Sequence, residues 1–489
     1  MNKTGENGRV EVEYTKVEQQ KLETIDNKGK VPTIGVRHWQ TLIFFALILI
    51  AFGIKVSISV AIVAMMDPTV SSSPSVPTYP QWDNKNVIMS AFFWGYIVPQ
   101  PFAGWAADKW GPKRFLVGGM AVCSTLCVLV PATAAYFGSV GLMASRVIQG
   151  LSQGFIFPST HHFLSQWVPV EERSRLGSSL YASALFGTVL AMLVTGFISG
   201  STYGWPAVFY LYGSLGVGWC IIMAIFGYNS PSLHPTISQA EKLYIEKSLG
   251  HTDEKLTHKT PWKSIATSVP LWALLSSHVG DLFGFWTLLS QIPSYMKYVM
   301  NFNLKEDSFL MSLPYISFTL ISGLFNFTSD FLISRKILPI GITRKIFNSI
   351  GLITPGVMLI LLSYTKPDQP LRAVTLLVIG VTFNAATLCG WSINHMDLSP
   401  NHAGTMMGLT SGISNISGII APLVVQFLVD DERDPLQWRS VFLLASGVYI
   451  GAACIFMVFG SGEVQPWNQD SDDENEMESV EITAISKPE

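Results

Sequence analysis

The sequence predicts an all-α membrane protein whose twelve transmembrane helices form two six-helix halves. Only 13% of its 489 residues are charged, whereas 49% are hydrophobic. This composition is typical of a chain that lipid rather than water surrounds. Apolar stretches follow one another from about residue 38 to residue 460, and each supplies the roughly 20 residues that a helix needs to cross the hydrocarbon layer. A soluble globular fold is therefore excluded.

Polar connections separate the predicted spans. In chain order the spans cover residues 38–66, 86–107, 115–135, 138–161, 175–200, 204–228, 268–298, 308–331, 345–364, 370–395, 403–429 and 437–460. Lys and Arg occur in several connections, at 107–115, 161–175, 229–267 and 331–345, and are absent from those at 135–138 and 200–204. Because basic connections stay in the cytosol, these connections and both chain termini are predicted to be cytosolic.

A long polar stretch divides the spans into two groups of six. It contains prolines, serines and charges of both signs, which is typical of a linker. Asp330 and Lys336 after the eighth span repeat the pattern of Asp108 and Lys109 after the second, as expected of two related halves. The predicted regions are a cytosolic N-terminal tail at 1–37, an N-terminal six-helix bundle at 38–228, a cytosolic linker at 229–267, a C-terminal six-helix bundle at 268–460 and an acidic cytosolic tail at 461–489.

A loop motif follows the second span and carries the pattern Gly104-x3-Asp108-x2-Gly111-x2-Arg114. Its glycines permit a tight turn and a close approach of helices. Asp108 stands at the membrane edge, where its carboxylate can pair with Arg114 or with a helix N-terminus. Such a contact would hold a cytosolic gate in one of two states. The motif matches the loop signature of the major facilitator superfamily, and the alternative is an ordinary basic loop.

Further strings resemble the anion/cation symporter family of that superfamily, which includes sialin, the vesicular glutamate transporters and the sodium-phosphate cotransporters, with insect members described as inorganic phosphate cotransporters. They are residues 53–63, 92–96, 146–150, 172–175, 394–400 and 461–467. The resemblance covers the chain from about 36 to 467 and implies the major facilitator fold. It also implies a secondary active transporter that moves inorganic phosphate or a small organic acid with a sodium or proton gradient by alternating access. The implied location is the plasma membrane or an endo-lysosomal or vesicular membrane.

Arg146 is a predicted substrate-binding residue. It lies inside an apolar span, where an unpaired cation costs at least ~2.5 kcal/mol on insertion scales, so it should face a watery cavity or a counter-ion. Its planar guanidinium fits the paired oxygens of a carboxylate or phosphate. The resemblance places an arginine of the family's substrate site at this position. The alternative is a buried ion pair that fixes helix packing.

Lys55 and Tyr96 are further substrate-binding candidates. Lys55 lies near the middle of the first span, too far from either membrane face to snorkel. The resemblance implies that relatives commonly carry arginine there. A lysine ammonium attracts an anion as a point charge but cannot clamp it with two parallel hydrogen bonds. Tyr96 in the second span offers a hydroxyl to the substrate or, alternatively, a ring to a helix interface.

Three residues are candidates for coupling to the driving ion. Gln153 lies two helical turns after Arg146, where the resemblance implies a proton-carrying glutamate in proton-driven relatives, and a glutamine does not titrate. His161 either titrates near neutral pH or serves as a hydrogen-bonded structural residue. Asp281 in the seventh span either binds sodium or a proton, or pairs with Lys55 or Arg146 across the bundle. Sodium and a proton both stay open as the coupling ion, with sodium favoured by the phosphate-cotransporter resemblance.

Other classes of function lack their sequence signals. No Gly-x4-Gly-Lys-Ser/Thr string of an ATP-driven pump occurs, and His161-His162 and His395 with Asp397 are the only candidates for the acid/base pair of a membrane enzyme. We therefore expect no enzyme, no metal site, no cofactor beyond the coupling ion and no nucleic-acid partner. We expect a monomer in the lipid bilayer that binds an anionic small molecule. The alternative is a non-transporting receptor or an anion channel on the same fold.

Overall fold

The computed structural model describes residues 32–100, 102–103, 109–249, 261–303, 308–400 and 402–468. Within these ranges a few residues, His161 and His162 among them, are described by their backbone alone. The described residues form sixteen α-helices and three short 3-10 helices, and they contain no β-strand. Most of both predicted tails lies outside the described residues, as do Gly104 and Asp108 of the loop motif.

Six helices make up the N-terminal half. They are α1 (Val36–Met66), α2 (Lys85–Tyr96), α3 (Pro112–Gln153), α4 (Ile156–Trp167), α5 (Val170–Ser199) and α6 (Gly204–Phe226). The 42 residues of α3 are too many for one crossing. Gly138 interrupts α3 with φ 61° and ψ −152°, a backbone conformation that is nearly restricted to glycine. The helix therefore supplies the third crossing and, together with α4, the fourth.

Two linker helices, α7 (Gln239–Leu249) and α8 (Trp262–Thr267), lead into the C-terminal half. The helices of that half are α9 (Val269–Tyr298), α10 (Ser308–Ser334), α11 (Ile340–Ser363), α12 (Pro370–Asn384), α13 (Trp391–Leu398), α14 (Ala403–Ser414), α15 (Ser417–Leu428) and α16 (Pro435–Phe459). A 3-10 turn at Ala385–Cys389 joins α12 to α13, and α14 runs into α15 after a short turn. Each of these two pairs therefore makes one crossing.

Twelve crossings follow from these helices. Nine helical stretches in the described ranges are long and apolar enough to cross a membrane. One of them, residues 112–160, is 49 residues long and holds two crossings because of the break at Gly138. The remaining two crossings are α2, which is followed by helical residues 100, 102 and 103, and the 30-residue α9. The predicted all-α fold of twelve transmembrane helices in two halves is confirmed.

The two halves pack side by side around a shared core. Between the halves, α1 packs against α9, α2 against α15 and α5 against α10. Buried apolar side chains of both halves form one continuous cluster. Large apolar side chains such as Leu320, Phe327 and Phe427 are exposed on the outside of the bundle, as expected of a surface that faces lipid. In contrast, the charged side chains of Lys55, Arg146 and Asp281 are buried inside the bundle.

Candidate functional site

Two buried cations come together where α3 meets α1. The Arg146 guanidinium donates from Nη1 to the Ile54 carbonyl oxygen at 3.3 Å and from Nη2 to the Lys55 carbonyl oxygen at 3.1 Å. A third hydrogen bond runs from Nη1 to Gln149 Oε1 at 3.0 Å. These contacts hold the second part of α3 against the middle of α1. They bring Arg146 and Lys55, which are 91 residues apart in the chain, into one site.

The positive charge of Arg146 has no carboxylate partner among the described residues. Arg146 is only 2% exposed, its Nε has no hydrogen-bond acceptor among the described residues, and its guanidinium carbon lies 4.7 Å from the centre of the Phe92 ring. Three of the five guanidinium N–H groups make the bonds above, so Nε–H and the second N–H of Nη2 are left for a ligand. The guanidinium fork that the sequence predicts to bind substrate is thus partly engaged with α1 and with Gln149.

The Lys55 ammonium is enclosed by a cage of five aromatic rings. Its Nζ lies 4.2 Å from the ring centre of Trp286 and 4.4 Å from that of Tyr96. Three phenylalanine rings complete the cage at 4.8, 5.3 and 5.4 Å, those of Phe93, Phe92 and Phe52. Across the part of the chain that the structure describes, this ammonium has neither an ion pair nor a hydrogen bond. Ring faces attract a cation by about 0.5–2 kcal/mol, which stabilises an ammonium without a counter-ion.

Two small cavities flank Lys55 along α1. The larger one extends toward the Met66 end of α1, and its lining includes Lys55, Ser59, Phe93, Arg146, Trp286 and Ser290. The smaller one extends toward the Val36 end, and its lining includes Ile48, Phe52, Lys55, Tyr96, Gln153 and Phe157. Lys55 belongs to both linings. Because the larger cavity also touches α9 and α15, the site lies between the two halves.

Gln153 lines the smaller cavity and bonds neutral groups. Its Nε2 donates to the Ala51 carbonyl oxygen at 3.3 Å and to Cys123 Sγ at 3.2 Å. Gln153 and Arg146 thus both contact α1, which agrees with their spacing of two helical turns. Because an amide takes up no proton near neutral pH, Gln153 contributes hydrogen bonds rather than a titrating group.

Asp281 occupies a separate polar centre inside the C-terminal half. Its carboxylate accepts three hydrogen bonds, from Asn384 Nδ2 at 2.6 Å, Trp391 Nε1 at 3.2 Å and Thr387 Oγ1 at 3.4 Å. The structure pairs Asp281 with neither Lys55 nor Arg146, so the predicted alternative of a cross-bundle ion pair is not realised. Its donors all come from the region between the end of α12 and the start of α13. Asp281 and the cation site are therefore two centres.

The loop motif is only partly described. Gly111 directly precedes α3 and has a φ of 79°, a conformation that favours glycine. Arg114 is exposed in the first turn of α3. Gly104 and Asp108 lie outside the described residues, so the pairing of Asp108 with Arg114 stays a prediction. The side chain of His161 also lies outside them, and its part in coupling stays a prediction.

Residues 43–422 match the family model of the Major Facilitator Superfamily. The protein belongs to the Major Facilitator Superfamily. It is 38% identical over 478 residues to the "Putative inorganic phosphate cotransporter" of Drosophila melanogaster, and the aligned region covers 93% of this chain and 90% of that relative. It is 33% identical over 429 residues to the "Vesicular glutamate transporter 2" of Homo sapiens, and the aligned region covers 86% of this chain and 73% of that relative.

Solved structures of superfamily transporters share the fold. The inward-open xylose transporter XylE from E. coli superposes with a TM-score of 0.64 at 14% identity, over 86% of this chain and 95% of that one. A bacterial homologue of the human lysosomal transporter Spinster superposes with a TM-score of 0.66 at 14% identity, over 87% and 97% of the two chains. At this identity the likeness concerns the fold alone. The family model and the relatives confirm the predicted family and a multi-pass membrane location, and the relatives are transporters rather than enzymes.

A polar latch closes one end of the bundle of this superfamily member. Lys85 at the start of α2 forms an ion pair with Glu432, in the connection between α15 and α16, and donates to Ser294 Oγ of α9 at 3.1 Å. These three residues, called the outer latch below, lie at the end predicted to face away from the cytosol. In the described ranges the other polar side-chain contacts between the halves lie at the same end: Lys297 with Asp67, Gln291 with Asn86, and Gln426 with the Asp83 carbonyl.

Sequence reasoning missed the outer latch. Lys85 and Glu432 lie beside or within polar connections, where charged residues are common, and they belong to opposite halves. The one available signal is that Lys85 immediately precedes an apolar span and is nevertheless buried in the structure. Only the packing of α2 against the other half reveals its partner.

Proposed function

We propose that the protein is a secondary active transporter that carries an anion past Lys55 and Arg146 by alternating access, driven by a sodium or proton gradient. The observation that carries the proposal is the pair of buried cations without a carboxylate partner in the described chain. Buried unpaired charges are costly, so such a site is complete when it holds an anion. The relatives named for carrying phosphate and glutamate, both anions, support this.

The position of Lys55 suits alternating access. One cavity lies on its outer-latch side and the other on the side of the basic connections. Rocking of one half against the other would therefore expose the same ammonium to each side in turn. Trp286 of the C-terminal half completes the aromatic cage, so this motion would also change the environment of the charge.

The lining of the larger cavity favours a small organic acid over inorganic phosphate. In the described chain the free N–H donors are the three of the Lys55 ammonium and two of Arg146, Nε–H and one on Nη2, since the Ser59 and Ser290 hydroxyls donate to backbone carbonyls. A carboxylate offers about four acceptor positions, so these donors are enough to satisfy it. The four oxygens of phosphate would leave buried acceptors unpaired, at about 1–3 kcal/mol each.

The rest of the lining further narrows the substrate class. Apolar side chains make up most of it, among them Val56, Met89, Trp286 and Leu289. No acidic residue of the described chain lines either cavity, so the ammonium of an amino acid would have no ion-pair partner there. We therefore expect a simple carboxylic acid with an apolar body.

Uptake into proteoliposomes tests this function. Purified protein would be offered radiolabelled inorganic phosphate, L-glutamate or mandelate under imposed sodium or pH gradients, with protein-free liposomes as the blank. We expect the wild type to accumulate the anion above its equilibrium concentration, most for mandelate and least for phosphate. Arg146→Ala should lose this uptake, whereas Arg372→Ala, which changes an exposed arginine, should keep it. Equilibration without accumulation would indicate a channel, and binding without uptake would indicate a receptor; either result contradicts the proposal.

A further inference from the structure

Asp281 is a buried carboxyl group with hydrogen-bond donors but no cation. It is 7% exposed and, among the described residues, accepts hydrogen bonds from the neutral groups of Asn384, Thr387 and Trp391 alone. Within the described ranges, no lysine or arginine forms an ion pair with it. Burial without a cation favours the neutral acid, whereas three donors favour the ionised form. The surroundings of Asp281 therefore stabilise both protonation states.

The groups around Asp281 are poorly suited to sodium. A hard cation needs several oxygen ligands, but Asn384 and Trp391 direct N–H groups at the carboxylate. The Asn384 amide nitrogen also donates to the Gly351 carbonyl oxygen at 3.1 Å, which fixes its orientation. The single proton of Thr387 Oγ1 is shared between the Asn384 carbonyl oxygen at 2.8 Å and Asp281 at 3.4 Å. A sodium ion would have to displace these N–H groups, whereas a proton binds a carboxylate oxygen directly.

The three donors lie at a break in the tenth crossing. Asn384 ends α12, Thr387 lies in the 3-10 turn, and Trp391 begins α13 after Gly390, whose φ of −93° and ψ of −111° are not helical. Asp281 of α9 thus accepts hydrogen bonds from both pieces of a discontinuous helix. Protonation turns one carboxylate oxygen from an acceptor into a donor, so it weakens the hold of α9 on this break. Discontinuous helices of this kind form ion sites in carriers.

Other titratable groups surround this centre. His278, one helical turn before Asp281, stacks on Trp391 with ring centres 3.8 Å apart. His278 Nδ1 and His395 Nε2 lie 3.2 and 2.8 Å from the same hydroxyl, that of Thr410. Titratable or charged groups on the helices packed around Asp281 include Lys55 of α1, His278 of α9, Tyr315 of α10, Arg344 of α11, Cys389 of the 3-10 turn, His395 and Asp397 of α13 and Tyr449 of α16. Arg344 and Asp397 pair with each other at 2.7 Å, so Asp281 is the carboxyl of this set without a cation.

We infer that Asp281 is the proton-binding site through which the C-terminal half couples transport to a pH gradient, separate from the anion site at Lys55 and Arg146. One proton adds to the Asp281 carboxylate from water on one side of the membrane and leaves as a proton to water on the other. The hydrogen bonds to Asn384 and Trp391 change with each step and link proton binding to the helix break. The proton site stands on its own geometry, and only its consequence for transport rests on the proposed function.

Infrared difference spectroscopy of the purified protein tests proton binding without any substrate. A pH titration should show the C=O stretch of a protonated carboxylic acid, absent from Asp281→Asn and retained in Asp368→Asn, a change of an exposed aspartate. Trp391→Phe removes one donor to the ionised form, so the band should persist to higher pH. The inference is overturned if no titrating C=O band depends on Asp281.

Transport separates the inference from the proposed function. With whichever of labelled phosphate, L-glutamate and mandelate the wild type accumulates, Asp281→Asn should lose accumulation driven by a pH gradient. It should retain exchange of labelled for unlabelled anion, since exchange needs no net proton movement. Accumulation that follows sodium and ignores pH would overturn the proton site and leave the proposed function intact. A titrating Asp281 in a protein that carries no anion would leave the proton site standing and contradict the proposed function.

Discussion

Lys55 and Arg146 are stabilised in different ways, and this difference assigns them different parts in anion binding. Arg146 donates to two backbone carbonyls of α1 and to Gln149, and in the described chain it keeps Nε–H and one N–H of Nη2 free. Lys55 keeps all its N–H groups and is held by ring faces, which an anion can replace more readily than hydrogen bonds. Lys55 therefore supplies most donors to the anion, while Arg146 positions α3 against α1 and adds two donors.

Arg146→Lys should abolish uptake even though it keeps the positive charge. A lysine cannot reach the Ile54 and Lys55 carbonyls together, and each charged hydrogen bond is worth about 1.5–3 kcal/mol. Uptake into proteoliposomes would be compared with that of Arg372→Lys, an exposed control, after both proteins are shown to reach the membrane in equal amounts. Normal transport by Arg146→Lys would show that charge alone is needed at this position.

The two cations were recognisable from the sequence because a charge inside an apolar span is costly and therefore rare unless it serves binding or pairing. The aromatic cage was not, since Trp286 belongs to the other half and a tryptophan in an apolar span is unremarkable by itself. The donors to Asp281 were hidden for the same reason, because Asn384 and Trp391 approach it only through the packing of α12 and α13 on α9. Residue type thus revealed the charges, and tertiary packing supplied their partners.

At the scale of helices, hydropathy predicted the crossings but not their interruptions. The tenth span was expected as one stretch at 370–395, whereas the structure replaces residues 385–389 by a 3-10 turn and extends helix to Leu398. Backbone conformation at Gly390 and the bonds to Asp281 cause this break, and neither leaves a periodic signal. The linker predicted at 229–267 contains α7, whose polar sequence shows no apolar stripe and which buries one carboxylate beside Ile245.

That carboxylate belongs to Glu241, which clamps α7 onto the start of α1. It is 1% exposed and accepts hydrogen bonds from Val36 N at 3.0 Å, Arg37 N at 3.1 Å and Arg37 Nη1 at 2.9 Å. Breaking a buried ion pair such as that of Glu241 with Arg37 costs about 3–5 kcal/mol. Glu241→Gln should therefore clearly lower the thermal unfolding temperature of the protein in detergent. Glu246→Gln on the same helix, which removes a partly exposed pair with Lys242, should change it little. Equal unfolding temperatures for the two variants would mean that the clamp adds no stability.

At the scale of the whole molecule, the outer latch holds the halves together at one end. Lys85 is buried, and both of its partners belong to the C-terminal half: Glu432 lies between α15 and α16, and Ser294 lies in α9. Alternating access requires these contacts to separate when the site opens to that side. The described conformation is therefore the one in which the outer end is closed.

Weakening the outer latch should favour the outward-open state. Glu432→Gln leaves the Lys85 charge without its partner, and each ~1.4 kcal/mol lost shifts the ratio of two states tenfold. A cysteine placed at Ser290 in the larger cavity would then react faster with an impermeant maleimide added outside. The background variant is Cys454→Ser, because Cys454 is exposed and the other four native cysteines are buried. Asp430→Asn, an exposed neighbour, is the control. Unchanged labelling in Glu432→Gln would remove the latch from the gating mechanism.

Equilibrium binding of a radiolabelled anion to the purified protein tests most directly whether the buried cations form the anion site. The labelled anion would be whichever of mandelate, L-glutamate and phosphate the wild type takes up. Lys55→Met and Arg146→Ala each remove one of two charges, and we predict at least about tenfold weaker binding for each, a loss of ~1.4 kcal/mol or more. Lys366→Met, a change of an exposed lysine, should bind as the wild type does. If both cation variants bind the anion as tightly as the wild type, the pair at Lys55 and Arg146 is not the anion site.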